Sequence, residues 1–473
     1  MKNKKIVSIV AGALAAVNVF SFAACQPKNS TTGSVDAYDG SAVTVTFYHT
    51  MGANLKAVLD KYIPKFNELY PNITIEHQSA GDYPALRDQI ATELTAGNAP
   101  SLAYCYPDHV ALYNKAQAVM PMDDYIAHET MGLTDAQIAD FIEVYYNEGK
   151  SFGDGKMYTL PMTKSTEVLY YNKTFFTEHN LTLPTTWDEM KALCAQIKQL
   201  EPSCIPLGYD SEANWFITMT EQLKSGYTTI DGDKFVFDTD ANYAFVEEFR
   251  EWYKAGYVTT EEIYGSYTSG LFTETGTKAD GSPKQKCYMC IGSSAGASYQ
   301  CPDAVTNDDG TTTYPFEVGV AMIPQADASN KKVIQQGPSL CMFKKSNAQE
   351  MAAAWLFAKY LTTTVEFQAE FSMTNGYTPV LKSVQENAVY KAFLDAADGN
   401  AKLQATVVKQ TLAQKDYYYI SPAFNGSSAA RDAVGALLQA CFVNDPAAGQ
   451  SVADFIKAEF KKSIDTLKYD YGY

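Results

Sequence analysis

Gly292-Ser293-Ser294-Ala295-Gly296 fits the G-x-S-x-G pattern of a nucleophile elbow, and the strand-like run Cys287–Ile291 leads into it. A hydrolase of that kind needs an acid and then a histidine further along the chain. The five histidines, His49, His77, His109, His128 and His179, all precede the serines, so an esterase would lack its base. The same five residues also make a tight turn of small side chains, either an anion nest of hydroxyls and backbone N–H groups or a plain loop. Cys287-Tyr-Met-Cys290 has the spacing of half a zinc or redox site, but a zinc ribbon needs a second such pair and the sequence has none. No P-loop or dinucleotide fingerprint is present, and no motif marks a carboxylate pair for glycoside cleavage. These residues predict neither a cofactor nor a metal, and a glycosidase or esterase stands only as a lesser alternative.

The elements that would carry such groups alternate between strand and helix. Val43, Val45 and Phe47 interleave with Thr44 and Thr46 as in a half-buried strand. Leu55, Val58, Leu59, Tyr62, Phe66 and Leu69 follow at helical spacing, with Pro64 expected to kink that helix. Ile73 and Ile75 open a second strand, so this stretch reads as a βαβ unit and implies a parallel sheet. Val168–Tyr171 and Val318–Ile323 read as strands. Thr186-Trp-Asp-Glu189 is a capping box for a helix with Trp187, Met190, Leu193, Ile197 and Leu200 on its apolar face. Ala352–Leu361 predicts a buried helix, and Tyr264–Pro315 reads as long loops around one strand. The fold class expected is α/β in two lobes.

The start of the chain adds a location. Lys2, Lys4 and Lys5 precede an apolar run, Ile6–Phe20, too short to span a bilayer, which closes on Phe22-Ala23-Ala24-Cys25. This is the pattern of a secretory signal, and the Cys after small residues resembles a lipobox, so residues 1–24 are expected to be removed and Cys25 acylated. Gln26–Ala42 is polar and rich in Gly, Ser and Thr, a tether between lipid and body. The formal charge of −17 becomes about −20 without the three lysines, which argues against nucleic acid and against docking of the body on anionic lipid. The remaining membrane contact is the lipid itself. Eight further cysteines leave Cys194/Cys204 and Cys287/Cys301 as candidate disulfides in an exported protein, against isolated buried thiols.

Six segments together resemble the extracellular solute-binding proteins of ABC importers, in the branch of the maltose- and glycerol-3-phosphate-binding proteins. They are Val43–Gly52, Leu94–Pro100, Gly153–Pro161, Ser165–Lys173, Pro184–Glu189 and Asn375–Val380. The resemblance spans about 43–465 and implies a monomeric, non-enzymatic protein whose two lobes close on a small solute and present it to permease subunits. It implies 43–160 with 333–378 as one lobe and 161–332 with 379–473 as the other, with crossings near Pro161, Lys332 and Tyr377. Tyr83, Ser165, Gly337 and Tyr377 match ligand-contacting positions of the branch, as does Ser293 or Ser294. Arg431 matches an arginine that pairs with phosphate, a task suited to a planar guanidinium fork. Trp215 resembles a cleft tryptophan. The branch carries a glutamate after the position of Tyr106, where this chain has Pro107 and then Asp108, so Asp108 is the candidate for the same hydroxyls. Glycerol 3-phosphate or a glycerophosphodiester is the ligand this favours, and an oligosaccharide is the alternative.

Overall fold

The structure, a computed structural model, describes residues 35–276 and 287–473. The signal segment, Cys25 and the tether up to residue 34 lie outside the described residues. Strand Val43–His49 buries Val45 and Phe47 on one face and pairs in parallel with Ile73–Ser79. Helix Ala53–Leu69 connects them, burying Leu55, Val58, Leu59, Tyr62 and Phe66, while Leu69 is exposed. Pro64 sits inside that helix and leaves one backbone hydrogen bond unmade.

Two sheets carry the fold. In the first, Ile73–Ser79, Val43–His49, Leu102–Cys105, Ser339–Phe343 and Val119–Met120 lie side by side, with Leu160–Pro161 also on Ser339–Phe343. In the second, the order is Tyr418–Tyr419, Val333–Gln336, Ser165–Asn172, Met289–Ser293, Leu207–Tyr209 and Val258–Thr260, with Val318–Ala321 also on Ser165–Asn172. Each sheet has its own apolar core. Helix Ala348–Thr363 buries Trp355 and Phe357 in the first; Trp187, Met190, Leu193 and Ile197 of helix Trp187–Leu200 lie in the second. The capping box of that second helix forms: the Thr186 hydroxyl accepts from Glu189 N–H at 3.2 Å, and the Glu189 carboxylate accepts from Thr186 N–H at 3.1 Å.

The chain changes sheets at two tight crossings and one broad one. Pro161 ends the first sheet's contribution and Ser165 opens the second's. Val333–Gln336, expected in the first lobe, pairs with Ser165–Asn172 instead, so the second crossing falls at Gly337–Pro338 and not at Lys332. The third boundary also moves. Val380, Leu381, Val384 and Tyr390 pack in the first core, and the return to the second sheet comes through Leu403–Ala413. Both shifts have one cause: these segments cross with no break in composition, and pairing partners alone decide their sheet.

Candidate functional site

The crossings meet at a charged knot. Lys164 and Thr378 exchange backbone hydrogen bonds at 3.0 and 2.7 Å. The Lys164 ammonium, fully buried, pairs with Glu148 and donates to the Gly337 carbonyl at 3.2 Å and the Ser339 hydroxyl at 3.1 Å. Glu148 also accepts from the Gln335 amide at 2.8 Å. A buried ion pair is tolerable only when its remaining donors and acceptors are filled, and here they are filled by residues from both sheets. Gly337 has φ +94°, and a Cβ there would lie 2.6 Å from both Lys164 Cα and the Thr163 carbonyl. Glycine at 337 is what lets the two crossing strands touch. Ser165, beside it, is buried in the same crossing.

Above this knot the first lobe presents phenols. Tyr83 opens helix Tyr83–Ala96, and its ring lies 4.5 Å from that of Tyr106, just ahead of helix Pro107–Asn114. Tyr83 is within hydrogen-bonding reach of Tyr106 and Tyr377, and Gly337 N–H faces the Tyr106 hydroxyl. Burial pushes the Tyr377 phenol up to about 12, with the Tyr83 hydroxyl opposing the rise. Asp108 sits in the first turn of its helix, half-buried, and its carboxylate accepts from His109 N–H at 3.1 Å.

The second lobe answers with a cation. Arg431 lies inside helix Ser427–Val443, in its second turn. Its charge acts on Tyr106 and His109 of the first lobe and on Tyr227 of the second. The guanidinium donates to the Asn214 side-chain oxygen; Asn214 in turn donates to Glu167 at 2.8 Å, and the Tyr209 hydroxyl donates to the other Glu167 oxygen at 2.7 Å. The Tyr227 hydroxyl and His109 Nδ1 are buried without a hydrogen-bond partner. Arg87 of the first lobe reaches the same helix from outside, bonding Asp432 at 2.8 Å and the Ser428 hydroxyl at 3.1 Å.

Two expected ligand contacts are placed elsewhere. Trp215 is fully buried, stacked on Tyr209 at 4.8 Å and packed on Phe249 at 4.1 Å, so it is core and not a cleft wall. Helical spacing from Glu212 turns its ring toward helix Asp240–Lys254, a direction its neighbours in sequence do not reveal. Ser294 is also fully buried, and its hydroxyl accepts from Thr166 N–H at 3.2 Å, tying the 3-10 helix Ser294–Gln300 to strand Ser165–Asn172. Ser293 remains partly exposed and accepts from Ala295 N–H at 3.2 Å. The glycine before them serves packing: a Cβ on Gly292 would lie 2.5 Å from an Asp210 carboxylate oxygen. Tyr106, Tyr227, Asn214 and Glu167 went unread in the sequence. Only Glu167 left a signal there, as a carboxylate within the apolar strand Ser165–Asn172.

The model of the bacterial extracellular solute-binding proteins matches residues 61–398. The chain belongs to that family. The chain is a solute-binding protein of an ABC importer, not an enzyme. The sn-glycerol-3-phosphate-binding periplasmic protein UgpB of Escherichia coli K12 is 24% identical over 369 residues, 76% of this chain and 79% of its own. Among solved structures, UgpB of Mycobacterium tuberculosis in complex with glycerophosphocholine superposes with a TM-score of 0.70 at 15% identity, covering 91% of this chain and 99% of its own. The substrate-binding protein Lmo0181 of Listeria monocytogenes in complex with cycloalternan gives 0.71 at 16% identity, covering 92% and 100%. Both confirm the binding protein's two-lobed α/β fold.

Proposed function

We infer that this binding protein captures a small solute carrying a glycerol-phosphate group, as glycerol 3-phosphate or a glycerophosphodiester, and delivers it to its permease while anchored through a lipid on Cys25. One observation carries the ligand class: Arg431 projects from the second lobe toward the first lobe's phenols with its guanidinium held on one side by Asn214. A guanidinium fixed in this way has donors left for phosphate oxygens, and Tyr83, Tyr106 and Tyr377 suit the hydroxyls and methylenes of glycerol. Ser165, Ser293, Gly337 and Asp108 border the same space in this reading. The relatives that bind glycerol phosphate or its choline diester support it.

An oligosaccharide is the second reading, favoured by the acidity of the neighbouring rim. Asp82, Asp210, Glu212 and Glu262 lie close enough to Glu261 to raise its carboxyl to about 8, after burial. Glu261 in turn helps push the phenol of exposed Tyr267 up to about 12, after burial. Carboxylates and an exposed ring suit sugar hydroxyls and faces. Calorimetry of the wild type and Arg431→Ala against glycerol 3-phosphate, glycerophosphocholine and maltose separates the two. Arg431→Ala is expected to weaken a phosphate ligand by about 2–4 kcal/mol, the range for stripping one partner from a buried charged contact. Binding of maltose with no response to the phosphates would overturn the first reading. Detergent-phase partition of the processed chain, lost in Cys25→Ala, checks the anchor.

A further inference from the structure

We propose that Glu167, acting through Asn214, is the positioning residue for Arg431, and that its protonation is coupled to capture of an anionic ligand. This rests on the reading of Arg431 as the anion's partner. The chain of contacts is short and one-directional: Tyr209 hydroxyl to Glu167 at 2.7 Å, Asn214 amide to Glu167 at 2.8 Å, and Arg431 guanidinium to the Asn214 oxygen. An asparagine between a carboxylate and a guanidinium can serve both only in one orientation, amide nitrogen to the acid and oxygen to the arginine. That orientation fixes which guanidinium N–H groups stay free for a ligand. Glu167 and Asn214 are both buried, so neither exchanges its partner for bulk water.

The arrangement places a carboxylate one residue behind the cation. Glu167 faces Arg431 from helix Ser427–Val443, Tyr209 and Asp210 from the end of strand Leu207–Tyr209, which lies beyond Met289–Ser293, and Tyr419 from Tyr418–Tyr419. Gln414, after helix Leu403–Ala413, donates to its backbone carbonyl at 3.1 Å, and Ser293 lies opposite it on Met289–Ser293. Arg431 is the cation in this set, and an anion docked on Arg431 offsets the charge that keeps Glu167 ionised. Burial already raises this carboxyl to about 7. Binding of an anion must therefore raise it further and take up a proton from solvent, and by reciprocity the anion binds more tightly as pH falls.

The test uses glycerophosphocholine, whose diester phosphate does not titrate near neutrality, on the full chain, with calorimetry at pH 7 in buffers of different ionisation enthalpy. Wild type is expected to take up a fraction of a proton per ligand and to bind about three- to tenfold more tightly at pH 6 than at pH 8.5. Glu167→Gln should abolish both proton uptake and pH slope, and Asn214→Ala should cost about tenfold in affinity. If Glu167→Gln does not fold, Tyr209→Phe removes a donor to the carboxylate and should move the midpoint of proton uptake to higher pH. Should Arg431→Ala leave affinity unchanged, the anion reading itself is wrong. Should Arg431→Ala abolish binding while wild type takes up no proton, or while Glu167→Gln keeps the wild-type pH slope, the relay is overturned and the anion reading survives.

Discussion

Trp215 shows how far a side chain's role depends on what packs around it. Its ring sits among Tyr209, Phe249 and Trp252 with no exposed surface. Removing such a ring leaves a cavity lined by aromatics, a loss of about 3–5 kcal/mol. Trp215→Ala is therefore expected to lower the unfolding free energy by that amount in urea, while ligand affinity of the folded fraction changes little. A loss of affinity with unchanged stability would restore the cleft role. Arg431 is its opposite, a half-buried cation whose partners come from strands and helices distant in sequence.

Helices meet across the lobes where Tyr83–Ala96 and Pro107–Asn114 approach Ser427–Val443. Arg87 spans this gap to Asp432 and Ser428, beside an open pocket of about 210 Å³ lined also by Leu112 and Tyr471. Asp432 is largely exposed and Arg87 is not, so solvent screens the pair and its net worth is within about 1 kcal/mol. Because the two residues belong to different lobes, that energy acts only on the closed arrangement. Asp432→Asn is expected to weaken ligand affinity up to about fivefold at low salt, and the difference should shrink toward nothing near 1 M salt. An effect independent of salt would mean the contact acts through packing.

For the whole molecule, buried titratable groups set a pH optimum. His49 is buried and held near 4, first by burial and then by His77, whose Nδ1 lies 2.9 Å from His49 Nε2. A histidine with a depressed folded value binds fewer protons than in the unfolded chain, so its stabilisation is lost as pH falls from about 6.5 toward 4. Glu167 near 7 and Glu261 near 8 are the reverse case. Their raised folded values mean the folded chain holds extra protons, and stability falls as pH rises from the ordinary carboxylate range through about 8. Below about 6.5 the two kinds oppose each other, and above it only the carboxylates act. With two such carboxylates against one such histidine, the melting temperature of the ligand-free chain is expected to be highest near pH 4–5 and to decline through pH 8.5, with Glu167→Gln plus Glu261→Gln removing that decline. A curve still rising at pH 8 would refute this assignment.

Strand Val43–His49, helix Ala53–Leu69, the Thr186 capping box and the buried helix Ala348–Thr363 were legible because local periodicity and caps decide them. The absent histidine behind the Gly292–Gly296 turn, and the six family segments in order, were enough to turn the reading from enzyme to binding protein. The sheet or core to which Val333–Gln336 and Val380–Tyr390 belong was not legible, since a short run of mixed apolar and polar residues carries no mark of which of two cores it joins. Nor was the side to which a residue faces: Trp215 and Ser294 read as cleft residues and are core, whereas Glu167 and Asn214 read as nothing and stand behind Arg431. Local chemistry along the chain chooses the elements. Contacts between residues far apart in sequence choose the burial, partners and proton affinity of each side chain, and those exist only once the lobes are folded.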